Sequence, residues 1–433
     1  MADLKIAVLG AGSFVFGPGV LSQAILENNL GSVELALMDT DAEVLGLMAG
    51  LGRLMAVESH KPVRITTHTE RDTALAGADY VICAAAVQGR RRYQIDHDLI
   101  QQFYPGHMIT EFGGVAGISY SLRQIALILD ITADMKRRCP DAWLLNVANP
   151  LPRVCQAAHA DGIQTVGFCS VALAAHSALW QLLRGDPPLA YPFTPAIKMW
   201  QMTTAGVNHF TWVLELADRQ TGADLLPRVR QCIASGATSG NPQTEALCRE
   251  TGYLLAAGDN HVRDFLKPPR PVPAPHVPFH GDERERWQRL QLLRTIVADE
   301  LNWEPLFEQV SWERPVDFIA AHTGSRELTF SALNLSNAGQ MPDLPAGVFV
   351  ETPCTVRAGH VQPQRIDLPE SVQAMTRHPA QVSDTITRAA LTRSRKLVYE
   401  AVELDPTIED KAAGIRAVDA CMAAHADLLP AYS

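Results

Sequence analysis

Two glycines, Gly10 and Gly12, come directly after an apolar run near the start of the chain. The first would allow a tight turn, and the second would let the backbone approach a pyrophosphate group at the N-terminus of a helix. A second apolar run begins at Val33 and ends at Asp39, where a carboxylate would meet the ribose hydroxyls of NAD. An ordinary turn before a helix, with Asp39 as a helix cap, is the alternative interpretation. We predict an NAD site that comprises Gly10, Gly12, Ser13, Phe14 and Asp39.

A cysteine and a histidine far apart in the sequence lie at the ends of two segments of strand character. Cys169 follows the apolar run Gln164 to Phe168, and His209 lies within the segment Lys198 to Val213. A thiolate and an imidazole from two strand ends can form half of a divalent-metal site. Taken by themselves, a buried thiol and a hydrogen-bonded core histidine are the simpler interpretation.

The segment from Gly252 to Phe265 is rich in side chains that can move protons, among them Tyr253, Asp259 and His261. Asp259 could act as a general base, or it could cap a helix that begins near Asn260. The residues alone leave both roles open.

Short apolar runs alternate with helical segments from Lys5 to about Phe168. This alternation predicts a Rossmann-like doubly wound α/β sheet, in a domain over residues 1–195. Ligands of such sheets bind at the carboxyl ends of the strands. Three consecutive arginines after the fourth strand could hold an anionic group, or they could form a solvated basic turn. The polar residues that follow these strands are Gln88, Arg90, Arg91, Arg92, Glu111 and Asn149.

Residues 196–433 lose this strict alternation, which predicts an α/β (α+β) domain for substrate binding and oligomerisation.

Other loops and helices can be placed from the sequence. In the first half, a flexible loop from Glu111 to Gly117 leads into a helix that we place near Ser119. In the second half, prolines predict an extended loop over Lys267 to Pro278. Helices are predicted over Pro242 to Cys248, Asp282 to Leu301, and Asp384 to Glu403.

The composition excludes several classes of protein. The 433 residues carry a formal net charge of −10, and no basic face is apparent, so we expect no nucleic-acid partner. Because no apolar run approaches membrane-spanning length and no signal peptide precedes the first strand, we expect a cytoplasmic protein without a membrane partner. The eight cysteines have no regular spacing, so we expect reduced thiols.

The order of motifs along nearly the whole chain resembles glycoside hydrolase family 4, the NAD-dependent glycosidases, and also the similar NAD-dependent sulfoquinovosidases. Each motif is short, but their joint order is specific. Ser170 follows Cys169 where the family usually has histidine. The matching residues are Gly10 to Ser13, Asp39, Gln88–Gly89, Asn149–Pro150, Gly167 to Cys169, Gly206 to His209, Asp259 with His261, Asn337 to Gly339, Leu344–Pro345 and Val350 to Pro353.

The resemblance implies roles for these residues. It assigns a divalent metal, manganese in most members, to Cys169 and His209, and the base to Asp259 with Tyr253 as the alternative. Gln88 would contact the cofactor. The residues expected at the substrate are Asn149, Asn208, His261, Glu111, Arg90, Arg91 and Arg92.

The resemblance also implies a reaction: oxidation at C3 of the sugar, removal of the C2 proton, elimination of the aglycone, addition of water, and return of the hydride. The small-molecule substrate would be an α-glycoside with an anionic C6 group, a sulfoquinovoside before a uronide or a 6-phosphoglycoside. A homodimer or homotetramer is expected. The alternatives are a 2-hydroxy-acid dehydrogenase of the lactate and malate type and a non-catalytic NAD-binding sensor.

Overall fold

The structure is a computed structural model that describes residues 4–267, 283–304, 306 and 313–433. Within these ranges, twelve strands form a single sheet. The strands are β1 (Leu4–Leu9), β2 (Val33–Met38), β3 (Val63–His68), β4 (Tyr80–Cys83), β5 (Trp143–Asn146), β6 (Thr165–Gly167), β7 (Trp200–Val207), β8 (Phe210–Asp218), β9 (Leu254–Leu255), β10 (Leu328–Ser336), β11 (Phe349–Arg357) and β12 (His360–Pro363).

The helices of the described ranges surround this sheet, and short π-helical and 3₁₀ segments occupy Gln23–Glu27 and Val171–Ala174. The α-helices are α1 (Gly17–Ser22), α2 (Ala42–Glu58), α3 (Arg71–Leu75), α4 (Gly89–Phe103), α5 (Gly114–Arg138), α6 (Leu151–Ala160), α7 (Ala175–Arg184), α8 (Thr194–Met199), α9 (Leu226–Ala234), α10 (Pro242–Thr251), α11 (Asp259–Val262), α12 (Glu283–Val297), α13 (Pro315–His322), α14 (Glu370–Thr392), α15 (Arg395–Leu404) and α16 (Lys411–Ala424).

The strand order β3-β2-β1-β4-β5-β6 is that of a doubly wound dinucleotide-binding sheet, and its neighbouring strands pair in parallel. The predicted fold class is therefore confirmed. The sheet continues through β10, β11, β7, β8 and β9, whose pairings are antiparallel. Asn334 of β10 pairs with Gly167 of β6, so the second half adds its strands directly to the edge of the first.

The hydrophobic cores also cross the predicted boundary at residues 195 and 196. One core cluster joins the apolar face of α5, including Ile125 and Ile128, to Ile386 of α14 and to Val418 of α16. Burial of such side chains is the dominant stabilising contribution. The two predicted domains therefore share one apolar interior.

Two predicted helices have different bounds in the structure. Helix α5 begins at Gly114 rather than near Ser119, and Gly113 is its extended N-cap residue. The helix predicted over Asp384 to Glu403 is two helices, since Arg393 adopts φ = 53° at the end of α14 and Ser394 caps α15. Most of the predicted proline-rich loop lies outside the described residues.

The sequence predicts no apolar run of membrane-spanning length, but helix α5 is long and apolar enough to cross a membrane, judged by length and composition alone. In the structure, 78% of its most apolar window is buried within the protein.

Candidate active site

The turn after β1 adopts the conformation that its glycines permit. Gly10 has φ = +78°, and a Cβ atom at this position would lie 2.8 Å from the carbonyl oxygen of Ala84. The backbone N–H of Gly12 donates a 2.8 Å hydrogen bond to Oδ2 of Asp39. A Cβ on Gly12 would approach that same oxygen to 2.7 Å, so only glycine fits here. The sequence thus brings both glycines and Asp39 together at the carboxyl ends of β1 and β2.

Gly17 supplies the close helix–strand approach that a third glycine of the fingerprint provides. A Cβ on Gly17 would lie 2.6 Å from the carbonyl oxygen of Ala11. Ser13 accepts a hydrogen bond from the N–H of Phe16, at 3.3 Å from its Oγ. The buried ring of Phe14 lies 5.3 Å from the Arg286 guanidinium of α12. Gly17 is therefore farther from Gly12 than the third glycine of the fingerprint usually is, but it allows the same close packing of helix against strand.

Gln88 lies between β4 and α4, with φ = 48° and an exposed side chain. This position is at the carboxyl edge of the parallel strands, on the same side as the glycine turn.

Glu111 and Asn149 meet at this edge, since the amide of Asn149 donates a 3.0 Å hydrogen bond to Oε1 of Glu111. Burial raises the pKa of Glu111 to about 7, and the hydrogen bond from Asn149 opposes that shift only in part. A carboxyl group with this pKa can take up and release a proton near neutral pH.

His209 occupies the two-residue turn between β7 and β8, where it adopts φ = 64°. A histidine in this left-handed region is strained, and such strain is concentrated at functional sites. The side chain is buried, and its Nδ1 atom has no hydrogen-bond partner. Its ring packs against the ring of Phe112 at 4.3 Å and that of His261 at 4.2 Å. Burial, with a smaller contribution from His261, holds the pKa of His209 well below its usual range.

His261 and Asp264 lie one helical turn apart at the end of α11, where the N–H of Asp264 donates to the carbonyl of His261. Burial lowers the pKa of His261 to about 4 and raises that of Asp264 well above its usual value. The backbone approaches closely here, because a Cβ on Gly113 would fall 1.8 Å from the carbonyl oxygen of Asp264. One ligand atom from each of His209, His261 and Asp264 lies within 4.8 Å of the others.

Cys169 lies next to the side chain of Asn208, which belongs to the hairpin turn. Burial, and then the carboxyl groups of Glu351 and Glu313, raises the pKa of this thiol well above its usual value. The free thiol is therefore neutral, and a metal bound here would displace its proton. Ser170 donates a 2.8 Å hydrogen bond from its hydroxyl to Glu313.

A fully buried carboxyl group, Glu351 of β11, fixes the hairpin turn. It accepts hydrogen bonds from Asn208 at 3.3 Å, from Thr211 at 2.6 Å and from Asn334 at 3.0 Å. The Oδ1 atom of Asn208 is buried and has no protein partner. Together with Nδ1 of His209, it gives this turn two unpaired acceptor atoms, which fits a cation held beside it.

The candidate bases occupy different surroundings. The carboxylate of Asp259 accepts hydrogen bonds from the backbone N–H groups of Gln243 and Thr244, at 2.9 and 2.8 Å, and so caps α10. The capping alternative thus describes its contacts, although the capped helix is not the one expected. Tyr253 is half-buried just before β9.

The three arginines point in different directions. Arg92 is buried and donates a 2.9 Å hydrogen bond to Asp427 beyond α16, so its guanidinium is engaged in helix packing rather than placed for substrate. Arg90 pairs with Glu283 at 3.4 Å, and Arg91 is exposed. The three side chains have different surroundings because successive residues of a helix face different sides.

Comparison with known proteins agrees with these features. A sequence model of the family 4 glycosyl hydrolases matches residues 5–184, and one of the C-terminal domain of the same family matches residues 204–408. The chain belongs to glycosyl hydrolase family 4. An alpha-galactosidase of Bacillus subtilis is 28% identical over 99% of both chains, and an alpha-galacturonidase of that organism is 24% identical over 94% of both.

The solved structure of a 6-phospho-alpha-glucosidase from gut microorganisms, in complex with NAD and Mn²⁺, shares the fold of this family 4 chain. The TM-score is 0.80 at 18% identity, with 99% of this chain and 100% of that chain covered.

Two residues of this family 4 site have no role assigned from the sequence. Asp264 follows His261 by three residues, a spacing that would have indicated a shared helix face. Glu351 lies within the motif Val350 to Pro353, but that motif does not indicate its hydrogen bonds. Asn208 and Thr211 lie more than 100 residues earlier in the chain, and Asn334 lies on β10.

Proposed function

We propose that this chain is an NAD-dependent α-glycosidase that oxidises its substrate transiently at C3 and removes the proton at C2. The observation that carries this proposal is Glu111, whose pKa is raised to about 7. It lies beside Asn149, at the edge of the sheet that also carries the glycine turn. Family membership supports the glycosidase class.

The turn of Gly10 and Gly12 would hold the pyrophosphate of NAD, and Asp39 would accept hydrogen bonds from the ribose hydroxyls. The bound cofactor supplies a reversible hydride acceptor, so the overall reaction is a hydrolysis without net oxidation. The close contacts of Gly10 with Ala84 and of Gly12 with Asp39 leave no room for a side chain, so both glycines are needed for this tight turn.

We assign proton removal at C2 to Glu111 rather than to Asp259. At neutral pH Glu111 exists in both protonation states, which suits a base that must later release its proton. Asp259 has its carboxylate engaged with the N-terminus of α10. The hydrogen bond from Asn149 orients the Glu111 carboxyl group.

A divalent metal would be held at His209 with Cys169 as a further ligand, and it would supply a Lewis acid for the negative charge that develops on the substrate oxygen. The unpaired Nδ1 of His209 and Oδ1 of Asn208 support a cation at this turn. Glu351 would keep the turn in place through its bond to Asn208.

For the substrate we propose an α-hexoside with an anionic C6 group, a sulfoquinovoside first, then a uronide or a 6-phosphoglycoside. Arg90 and Arg91 lie in the first turn of α4, next to Gln88, and are the cationic groups that we propose for the C6 substituent; Arg90 also pairs with Glu283. The relatives named alpha-galactosidase, alpha-glucosidase and alpha-galacturonidase support the α configuration.

The test is a panel of nitrophenyl α-glycosides with NAD and Mn²⁺, comprising the sulfoquinovoside, galacturonide, 6-phosphoglucoside, galactoside and glucoside. We expect nitrophenol release without accumulation of NADH, and the highest kcat/KM for an anionic member. Release from none of them would contradict the proposed function. Net NADH formation from a 2-hydroxy acid would indicate the dehydrogenase instead.

A further inference from the structure

Three side chains that can bind a metal converge at the hairpin turn, and two of them lack an assigned role in metal binding. His209, His261 and Asp264 each place one ligand atom within 4.8 Å of the other two. Two imidazole nitrogens and one carboxylate oxygen form a donor set that binds divalent transition metals.

His209 directs an unused ligand atom into the protein interior. The residue is 3% exposed, and its Nδ1 atom has neither a hydrogen-bond partner nor contact with solvent. A buried polar nitrogen of this kind is costly unless it binds something. A metal ion would satisfy it.

The backbone fixes the three residues independently of any ligand. The φ of 64° at His209 sets the direction of its side chain. The turn that follows α11 holds Asp264 close to His261, because the N–H of Asp264 donates a hydrogen bond to the carbonyl of His261. The Phe112 ring packs on the His209 ring at 4.3 Å, and the Phe112 backbone donates to the Asp264 carboxylate. The missing side chain of Gly113 permits this close approach.

Ser170 adds no imidazole beside Cys169. This position, next to Cys169, carries a hydroxyl that donates to Glu313 at 2.8 Å, so it supplies no imidazole to the site. The nitrogen and oxygen donors that the structure brings together are those of His209, His261 and Asp264.

We infer that His261 and Asp264 are metal ligands that complete the coordination of a divalent ion with His209. Three protein ligands of this kind leave open positions for Cys169 and for the hydroxyl groups of a substrate. The use of Mn²⁺ as the probe rests on the proposed function.

The experiment measures Mn²⁺ binding to the purified full-length protein by EPR titration, without substrate. Asp264→Asn and His261→Gln keep the size of each side chain, and we expect each to weaken Mn²⁺ binding by about tenfold or more. His176→Gln is the matched control, because this buried histidine bonds only to the Leu173 carbonyl of its own segment among the contacts described. The control should bind Mn²⁺ as the unaltered protein does.

A second measurement needs no variant. Pulsed EPR of the Mn²⁺-loaded protein should reveal nitrogen couplings from two imidazoles, and couplings from only one would overturn the inference. Unchanged affinity of folded Asp264→Asn and His261→Gln proteins would overturn it as well. Neither measurement requires glycoside turnover, so failure of the proposed function and failure of this inference give separate results.

Discussion

Replacement of Glu111 by glutamine should raise the stability of the protein at neutral pH while it removes activity. Glutamine keeps the size of the side chain and can still accept the 3.0 Å hydrogen bond from Asn149. It removes only the charge and the basic oxygen.

The magnitude follows from the pKa, which burial raises from 4.5 to about 7. Between these pH values the folded protein binds a proton that the unfolded chain has lost, so the free energy of unfolding falls as the pH rises. At about 1.4 kcal/mol per pKa unit, this shift corresponds to a loss of about 3 kcal/mol in the free energy of unfolding. That figure is an upper bound, because Glu111 is half-buried and solvent screens its charge. Glu111→Gln lacks this ionisation, so its stability advantage grows from pH 4.5 to 7 and is constant above that.

Urea denaturation from pH 4.5 to 8 measures the stability, and kcat/KM over the same range measures the base. In the unaltered enzyme, kcat/KM should rise with pH through about 7, since the base must be deprotonated. The variant should lose about 100-fold or more in kcat/KM. Glu403→Gln, at an exposed position of α15, is the control and should change neither quantity. The assignment of Glu111 as the base would be refuted if kcat/KM of the unaltered enzyme rose near pH 4.5 instead of near 7. A Glu111→Gln variant within a few-fold of full activity would refute it as well.

Three further substitutions test the structural roles. Asp259→Ala should lower the free energy of unfolding by about 1–2 kcal/mol, because α10 loses its cap, and kcat should stay within a few-fold of that of the unaltered enzyme. A 100-fold loss of kcat in the folded variant would indicate that Asp259 is the base. Gly113→Ala should destabilise the protein by about 3 kcal/mol or more and lower kcat, because the alanine Cβ would clash with the backbone of Asp264. A thermal unfolding midpoint equal to that of the unaltered protein would contradict this. Arg92→Ala should lower the free energy of unfolding by about 1.5–3 kcal/mol, because it removes the hydrogen bond to Asp427, and KM should not change. An increase in KM for anionic substrates alone would show that Arg92 binds the substrate.

The parts of the fold that sequence reasoning predicted are those with local causes. A glycine turn after a buried strand and an acidic residue at the end of the next strand are set by neighbours in the sequence, and Gly10, Gly12 and Asp39 meet as expected. The alternation of strand and helix similarly predicted the parallel sheet.

The remaining parts depend on contacts between distant segments. The position of Glu351 follows from β11 joining the sheet beside β10 and β7, which no local pattern indicates. The hydrogen bonds of Asp259 to the start of α10 likewise join residues 15 and 16 positions apart, so the motif around Asp259 does not indicate them. The different surroundings of Arg91 and Arg92 have a local cause, because consecutive residues of a helix face different sides.

Turnover in deuterated water tests the central claim most directly. Removal of the C2 proton by Glu111 and its replacement from solvent would place deuterium at C2 of the released sugar, with no net change in NADH absorbance. NMR or mass spectrometry of the product should therefore detect deuterium at C2 under single-turnover and multiple-turnover conditions. Complete hydrolysis with only protium at C2 would contradict the proposed reaction.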